Sequence, residues 1–482
     1  MKHPKTGILV PLFSLPSESG IGELGYHTIE FLHILKKHNL KLWQMLPIGP
    51  VNYENSPYSA LSSYGIEPIY ISLEMLIEMG YPIEIHRKEF GTRVDYPSVI
   101  KHKRKHLLIA YELFLNNPTL CQDPAFLIFQ TNNPWAIRVA EFVAKYYFFN
   151  ETNWNTWPKE VTIENNVELG KEFAFQLWAQ YVADVQFNRI KGIAHDLGIE
   201  IIGDVPFYVG FNSMEVFFNQ DKFLLDENLD PAWVAGVPPD YFSVTGQNWK
   251  NPIWNWKNLE AEKYNLFIDR LGYCATAFDY VRLDHFRAFD TYYCIPGKDE
   301  TALNGHWERL DGYKVFDELF VRFPHVKLIC EDLGGDMNDR IPALRDFYNL
   351  PGMKEIEFTI LSDFHEGVNF MRYTGTHDNE PLLSWYEEQS EEDKIRILKV
   401  LEDVRLTKYF KTAATPNVMQ RLIAYFLKCN SLLGIISVVD LLELGGKENR
   451  INAPGSVADV NWSWRFESLK ELDQKLDFYN ID

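Results

Sequence analysis

Short apolar runs that end on a polar, proline or glycine residue recur along the chain. They lie at Ile8–Leu12, Leu40–Pro47, Ile199–Pro206, Tyr280–Phe286, Lys327–Asp332, Lys354–Ile360, Phe370–Thr376 and Leu433–Leu441. Runs of this length bounded by breakers predict β-strands. Helical patterns separate several of them, at Thr28–His38, Phe173–Leu197, Gly312–Arg322, Glu391–Lys408 and Val418–Asn430. Strands alternating with helices form parallel βαβ units. Eight such strands predict an α/β fold, a single (β/α)8 TIM barrel over residues 1–482.

Two gaps between strands exceed ordinary loops. Residues from about 64 to 173 contain their own helical patterns, Lys101–Asn116 and Ala136–Phe149, and predict a helical insertion. Residues from about 208 to 280 are rich in Pro, Trp and Asn and predict a loop-rich insertion. Both begin where a strand ends, on the barrel face that carries active sites. They are expected to form walls and lids of a cleft.

The length of 482 residues suits a large barrel with insertions, and 46% hydrophobic residues can fill a sizeable core. A formal net charge of −20 argues against nucleic acid and against anionic membranes. It is compatible with a neutral polar substrate, although solubility alone accounts for it. The cysteines, Cys121, Cys274, Cys294, Cys330 and Cys429, are odd in number and scattered, with no Cys-x-x-Cys pair. Neither zinc nor a disulfide framework is expected, and a reducing cytoplasm fits. The apolar stretch Gly7–Leu15 is short, holds Pro11 and lacks a small-residue cleavage site, so it is not read as a signal peptide. No run reaches the ~18 apolar residues of a membrane helix. Aromatic residues, at 15%, could stack on sugar rings, but a large core absorbs most of them.

Four acids fall at the C-terminal ends of predicted strands: Asp204, Asp284, Glu331 and Asp378. Arg282 and Asp284 stand two apart on one strand and point to one face, so the arginine would keep the aspartate ionised, as a nucleophile must be. Glu331 follows the apolar Leu328-Ile329-Cys330, where burial would raise its pKa and leave it protonated for general-acid work. Asp378 lies between His377 and Asn379, which can hydrogen-bond sugar hydroxyls. Two acids with opposed environments match a retaining glycosidase, whose carboxyl groups stand about 5 Å apart. Structural readings compete: Asp284 could pair with Arg282 or Arg287, Asp332 could cap a helix, and His285 and His377 could be core histidines. A barrel metal hydrolase would want His-x-His after the first strand, which here ends Val10-Pro11-Leu12.

The segments resemble the 4-α-glucanotransferases, or amylomaltases, of glycoside hydrolase family 77. The resemblance begins at Gly20-Ile21-Gly22-Glu23-Leu24-Gly25 and Trp43-Gln44-Met45-Leu46-Pro47. It continues through Ser56-Pro57-Tyr58-Ser59-Ala60, Gly203-Asp204-Val205-Pro206, Pro238-Pro239-Asp240-Tyr241-Phe242-Ser243 and Thr245-Gly246-Gln247. It ends with Leu350-Pro351-Gly352-Met353-Lys354 and Asn461-Trp462-Ser463-Trp464-Arg465. It implies that Asp284 is the nucleophile, Glu331 the general acid/base and Asp378 the transition-state stabiliser. It further implies Arg282, His377 and Asp204 around the cleaved sugar. Tyr58, Ser56, Asp240 and the loop Ser243–Trp249, with Gln247 and Trp249, would line the groove. The implied substrates are α-1,4-glucans (maltodextrin, glycogen or starch fragments), with no cofactor, no metal and no obligatory protein partner. The stretch Pro238–Trp249 is expected to exclude water so that an acceptor glucan wins.

The chain departs from the family pattern at Glu67, Lys250, Ala288 and Val439, where Asn, Gly, Gly and Gln are usual, and at Phe364-His365-Glu366-Gly367. The sequence therefore predicts a divergent α-1,4-glucan transglycosidase. An α-1,4-glucan hydrolase and a maltodextrin-binding protein with little turnover are the alternatives.

Overall fold

Eight strands run parallel around the centre of the computed structural model, which describes residues 5–86, 88–239, 243–333, 340–362, 369–411, 415–428, 431–455 and 460–481. They are β1 Lys5–Leu9, β2 Leu42–Gln44, β3 Glu200–Val205, β4 Tyr280–Leu283, β5 Leu328–Cys330, β6 Gly352–Glu355, β7 Phe370–Tyr373 and β8 Leu433–Ser437. Their order in the sheet is β6-β7-β8-β1-β2-β3-β4-β5. The Cys330 N–H of β5 donates to the carbonyl of Pro351, just before β6, at 2.8 Å. The Met353 N–H of β6 donates to Asp332 Oδ1 at 2.8 Å, and Arg345 also pairs with Asp332. These contacts draw the sheet's two ends together into the (β/α)8 barrel. Asp332 thus ties β5 to β6.

β2 to β8 are shorter than their apolar runs, and β1 lies at Lys5–Leu9, ahead of the run Ile8–Leu12, whose end opens a 3-10 turn. The run Lys354–Ile360 reads as a strand because Ile356, Phe358 and Ile360 alternate. In the structure β6 stops at Glu355, and Ile356–Thr359 turns into a helix. Ile356 and Ile360 are then buried on one helical face, while Phe358 is 63% exposed. After β8, Val438–Leu441 likewise forms a helical turn. Glu391–Lys408 divides into a helix Glu391–Leu401 and a 3-10 segment Val404–Tyr409.

The first insertion carries helices Leu73–Glu78, Tyr96–Asn116, Pro118–Cys121, Pro124–Asn132 and Pro134–Phe148. Asn117-Pro118 and Asp123-Pro124 start two of them, the Asx side chain accepting a backbone N–H and the proline fitting the first helical position. The 30-residue helix Val167–Asp196 then returns to the barrel. Its buried glutamines hold extended chain as backbone amides would. Gln180 exchanges hydrogen bonds of 3.0 and 2.9 Å with the N–H and carbonyl of Ile66, and Gln186 does so with Ser72 at 2.7 and 3.1 Å.

The second insertion is less loop-like than its composition predicts. Strands Trp233–Val237 and Gln247–Pro252 pair antiparallel, and Thr291–Pro296 and His306–Arg309, beyond the insertion, complete a four-stranded sheet. Helix Asn265–Ala277 precedes β4. Among the described residues no helix is long and apolar enough to cross a membrane.

Gly203 in β3 faces Phe278, and a Cβ built there would lie 2.1 Å from that ring. Gly203→Ala is expected to destabilise the protein by about 1–3 kcal/mol through overpacking. Gly192 lies in the helix Val167–Asp196 with nothing within 4 Å of an added Cβ. Gly192→Ala should stabilise by about 0.5–1 kcal/mol. Denaturant midpoints for the two variants should move in opposite directions.

Candidate active site

Register places the first pair. On adjacent strands Asp204 stands opposite Arg282. Arg282 Nη1 donates to Asp204 Oδ1 at 2.9 Å and Oδ2 at 2.8 Å, and also to Asp284 Oδ1 at 2.9 Å. Arg282 and Asp204 are both 3% exposed, whereas the Asp284 side chain keeps 26% of its surface. The arginine thus anchors a buried acid and presents a second, more open one. Tyr58 donates its hydroxyl to Asp204 Oδ2 at 2.7 Å. Its ring stacks on His377, with centroids 4.9 Å apart and planes 10° apart, and packs against Trp462 at 5.7 Å.

Glu331 follows β5 directly. Its Oε2 accepts the His285 N–H at 2.8 Å and its Oε1 accepts the Leu333 N–H at 3.1 Å. Burial pushes this carboxyl up to about 8; Arg282 opposes, the Asp284 charge adds, and the two N–H groups oppose. His285 holds a left-handed backbone, φ 51°, uncommon for a residue with a side chain. That conformation begins the turn Phe286–Phe289 directly after Asp284, where the His285 N–H meets Glu331. Burial lowers the His285 pKa to about 4, so its imidazole is neutral. Trp249 meets this ring edge-on at 5.0 Å.

Asp378 follows β7. Its Oδ1 accepts Asn452 Nδ2 at 2.7 Å and lies 3.4 Å from His377 Nε2. Arg450 Nη2 donates to the Asp378 carbonyl at 2.8 Å and Nη1 to Glu380 Oε1 at 2.9 Å. Sequence reading missed Asn452 and Arg450, which come after β8 outside the quoted motifs. The usable signal was position alone, since the chain there leaves a strand on the same face.

Several groove candidates hold protein groups in this structure. Asn379 gives its amide to Glu355 and Glu357, and its Oδ1 accepts the Thr376 N–H at 2.7 Å. Ser56 Oγ accepts the Tyr58 N–H at 3.3 Å and so shapes the turn Pro57–Ser59. Ser243 donates to the Gly246 carbonyl at 2.8 Å, and Gln247 Oε1 accepts Trp249 Nε1 at 3.0 Å. Asp240 lies outside the described residues, as do 364–367. Among the described residues, possible metal ligands gather only at His38, Asp473 and Asp477, where Lys37 already pairs with both aspartates at 2.7 and 3.5 Å.

The departures have local accounts. Lys250 sits at φ 60°, a conformation glycine adopts freely, and its ammonium donates to the Asp299 carbonyl at 3.0 Å. Glu67 is buried; its carboxylate accepts the N–H groups of Val51 at 2.9 Å and Ile69 at 3.4 Å, and burial pushes it up to about 7. Ala288 is fully buried in the turn after Asp284. Val439 is buried beside Asp440, whose Oδ1 accepts the Leu382 N–H at 2.7 Å.

The chain matches the 4-alpha-glucanotransferase family, glycoside hydrolase family 77, over residues 10–471. It is 35% identical to the 4-alpha-glucanotransferase of Thermus thermophilus over 96% of this chain and 95% of that protein. It is 34% identical to the one from Synechocystis over 96% of this chain and 93% of the relative. Its fold is similar to that of an amylomaltase from Streptococcus agalactiae solved in complex with acarbose, with a TM-score of 0.88, 27% identity and 98% of each chain covered. Together with the barrel and the acids at its strand ends, these likenesses show that the chain belongs to the 4-alpha-glucanotransferases of glycoside hydrolase family 77.

Proposed function

We propose that this enzyme transfers α-1,4-glucan segments from a donor maltodextrin to the 4-hydroxyl of an acceptor glucan or glucose, through a covalent glycosyl-enzyme on Asp284. The observation that carries this reading is the contrast between the two acids. Asp284 is bound by a buried guanidinium, while Glu331 is pushed up to about 8. Glu331 protonates the glycosidic oxygen as Asp284 attacks the anomeric carbon. The leaving glucan departs, and an acceptor hydroxyl, deprotonated by Glu331, displaces Asp284 with retention. Asp378, held by Asn452, takes the 2- and 3-hydroxyls as the ring flattens.

Arg282, His377, Asp204 and Tyr58 enclose the sugar being cleaved. Trp249 and the stretch 238–249 favour an acceptor over water. The substrates are maltodextrins or fragments of glycogen or starch. Cys121, Cys274, Cys294 and Cys330 are free thiols, which fits work in a reducing cytoplasm.

Incubation with maltotriose should give glucose plus a ladder of longer glucans. Shorter sugars with steadily rising reducing ends would identify a hydrolase instead. Asp284→Asn should cut turnover by ~10³-fold or more while leaving the far-UV circular dichroism unchanged. A variant that keeps its activity removes Asp284 from the mechanism.

Glu331 must enter protonated, so kcat/KM is expected to hold below its pKa and fall as pH rises through about 8. Glu331→Gln should be inactive on maltotriose. It should still release fluoride from α-maltosyl fluoride in a single turnover, because fluoride leaves without a proton. Shortening the stretch 238–249 should raise the fraction of product formed by hydrolysis; an unchanged fraction would place water exclusion elsewhere.

A further inference from the structure

The turn after β7 presents Asp378 through hydrogen bonds that begin at two acids the mechanism does not use. Glu355 ends β6 and is 2% exposed; Glu357 follows on the helical turn Ile356–Thr359. Asn379 Nδ2 donates to Glu355 Oε2 at 3.0 Å and to Glu357 Oε1 at 2.7 Å. Asn379 Oδ1 accepts the Thr376 N–H at 2.7 Å and the Thr376 hydroxyl, whose oxygen accepts the Asp378 N–H at 3.3 Å. The reversed amide would set its oxygen against two carboxylates, so this orientation is the one that satisfies every group. Among the described residues neither glutamate forms an ion pair with Lys or Arg.

We propose that Glu355 and Glu357 act as one positioning unit, a carboxyl pair sharing a proton that locks Asn379 and thereby sets the turn carrying Asp378. The inference rests on the reading of Asp378 as the group that meets the reacting sugar. Two carboxylates on one amide repel each other, and among the described residues neither has a Lys or Arg ion pair, so the pair retains one proton. Burial pushes both groups up, and the Glu357 charge adds to the effect on Glu355. Other charges face the pair from each neighbouring element. Glu331 after β5 acts on Glu355; Glu380 and Arg450 act on Glu357; Tyr373 of β7 and Asp440 feel the pair's charge. Arg450 is engaged by Glu380 and the Asp378 carbonyl. Losing the shared proton therefore adds a second negative charge beside Asn379 with no new partner among the described residues to receive it.

The test uses α-maltosyl fluoride as donor and maltose as acceptor, because this donor frees the first step from the Glu331 proton. Glu357→Ala should lower kcat by about 10- to 100-fold through misplacement of Asp378, with KM changed by no more than about twofold. Glu357→Gln, which cannot lose the proton, should restore kcat to within about threefold of wild type. At alkaline pH the wild-type kcat should fall while that of Glu357→Gln stays level. Equal losses in the Ala and Gln variants, or coincident pH profiles for wild type and Glu357→Gln, overturn the proposal. If Glu357→Ala fails to fold, the pH comparison decides. Asp378→Asn separates the two layers. If it loses kcat while Glu357→Ala keeps it, the positioning unit fails alone. If Asp378→Asn stays active, the role of Asp378 itself fails.

Discussion

The site is organised around one guanidinium. Arg282 is almost fully buried and spends the same nitrogen on Asp204 and Asp284. Removing a charge from water is costly unless it is paired and hydrogen-bonded, so neither Arg282 nor Asp204 could stay charged in this position alone. The pair follows from parallel registry, which sets Asp204 beside Arg282. Two residues further along the same strand direction, alternation returns to the same face and delivers Asp284. Strand pairing, core burial and the charge of the proposed nucleophile are therefore one constraint. Substitution of Arg282 would be felt in all three.

The same arrangement accounts for the two duties proposed for Glu331. Its proton is retained by burial first and by the nearby Asp284 charge second. On the proposed route, formation of the glycosyl-enzyme converts Asp284 from an anion to an ester. The negative charge that helped hold the proton then disappears, while Arg282 and the N–H groups of His285 and Leu333 remain to favour the carboxylate. Glu331 is thus a better acid before the first step and a better base before the second, without any movement of the backbone. The left-handed His285 has a function in this account, since its N–H is one of the two that stabilise the base form.

Much of this was legible in the chain because strand ends are marked by a change from apolar to polar residues. Asp204, Asp284, Glu331 and Asp378 were placed by that rule, and Arg282, inside β4, by its two-residue spacing from Asp284. What escaped has physical causes. The alternation of Ile356, Phe358 and Ile360 fits a strand as well as a short helix, and only the exposure of Phe358 decides between them. The four-stranded sheet joins segments on both sides of β4, and no local pattern announces pairing at that separation. Asn379 sits beside an acid and reads as a hydroxyl binder, yet Glu355 and Glu357 claim its amide. Their opposition to Asn379 depends on the neighbouring strands β6 and β7, a tertiary relation.

Accounting for polar atoms separates scaffold from binding surface. Asn379, Ser56 and Gln247 have protein partners and shape the walls. By contrast, Arg282 Nε, His285 Nε2 and His377 Nδ1 are buried side-chain atoms that find no hydrogen-bond partner among the described residues. An unmade hydrogen bond at a buried polar atom costs about 1–3 kcal/mol, which a fold rarely tolerates several times in one place. Here the three atoms belong to residues beside Asp284 and Asp378. A hydroxyl-rich ring can both donate and accept, so a bound glucan is suited to relieve groups of either kind. On the proposed function, sugar hydroxyls could pair with these atoms, whereas an apolar ligand of the same shape could not.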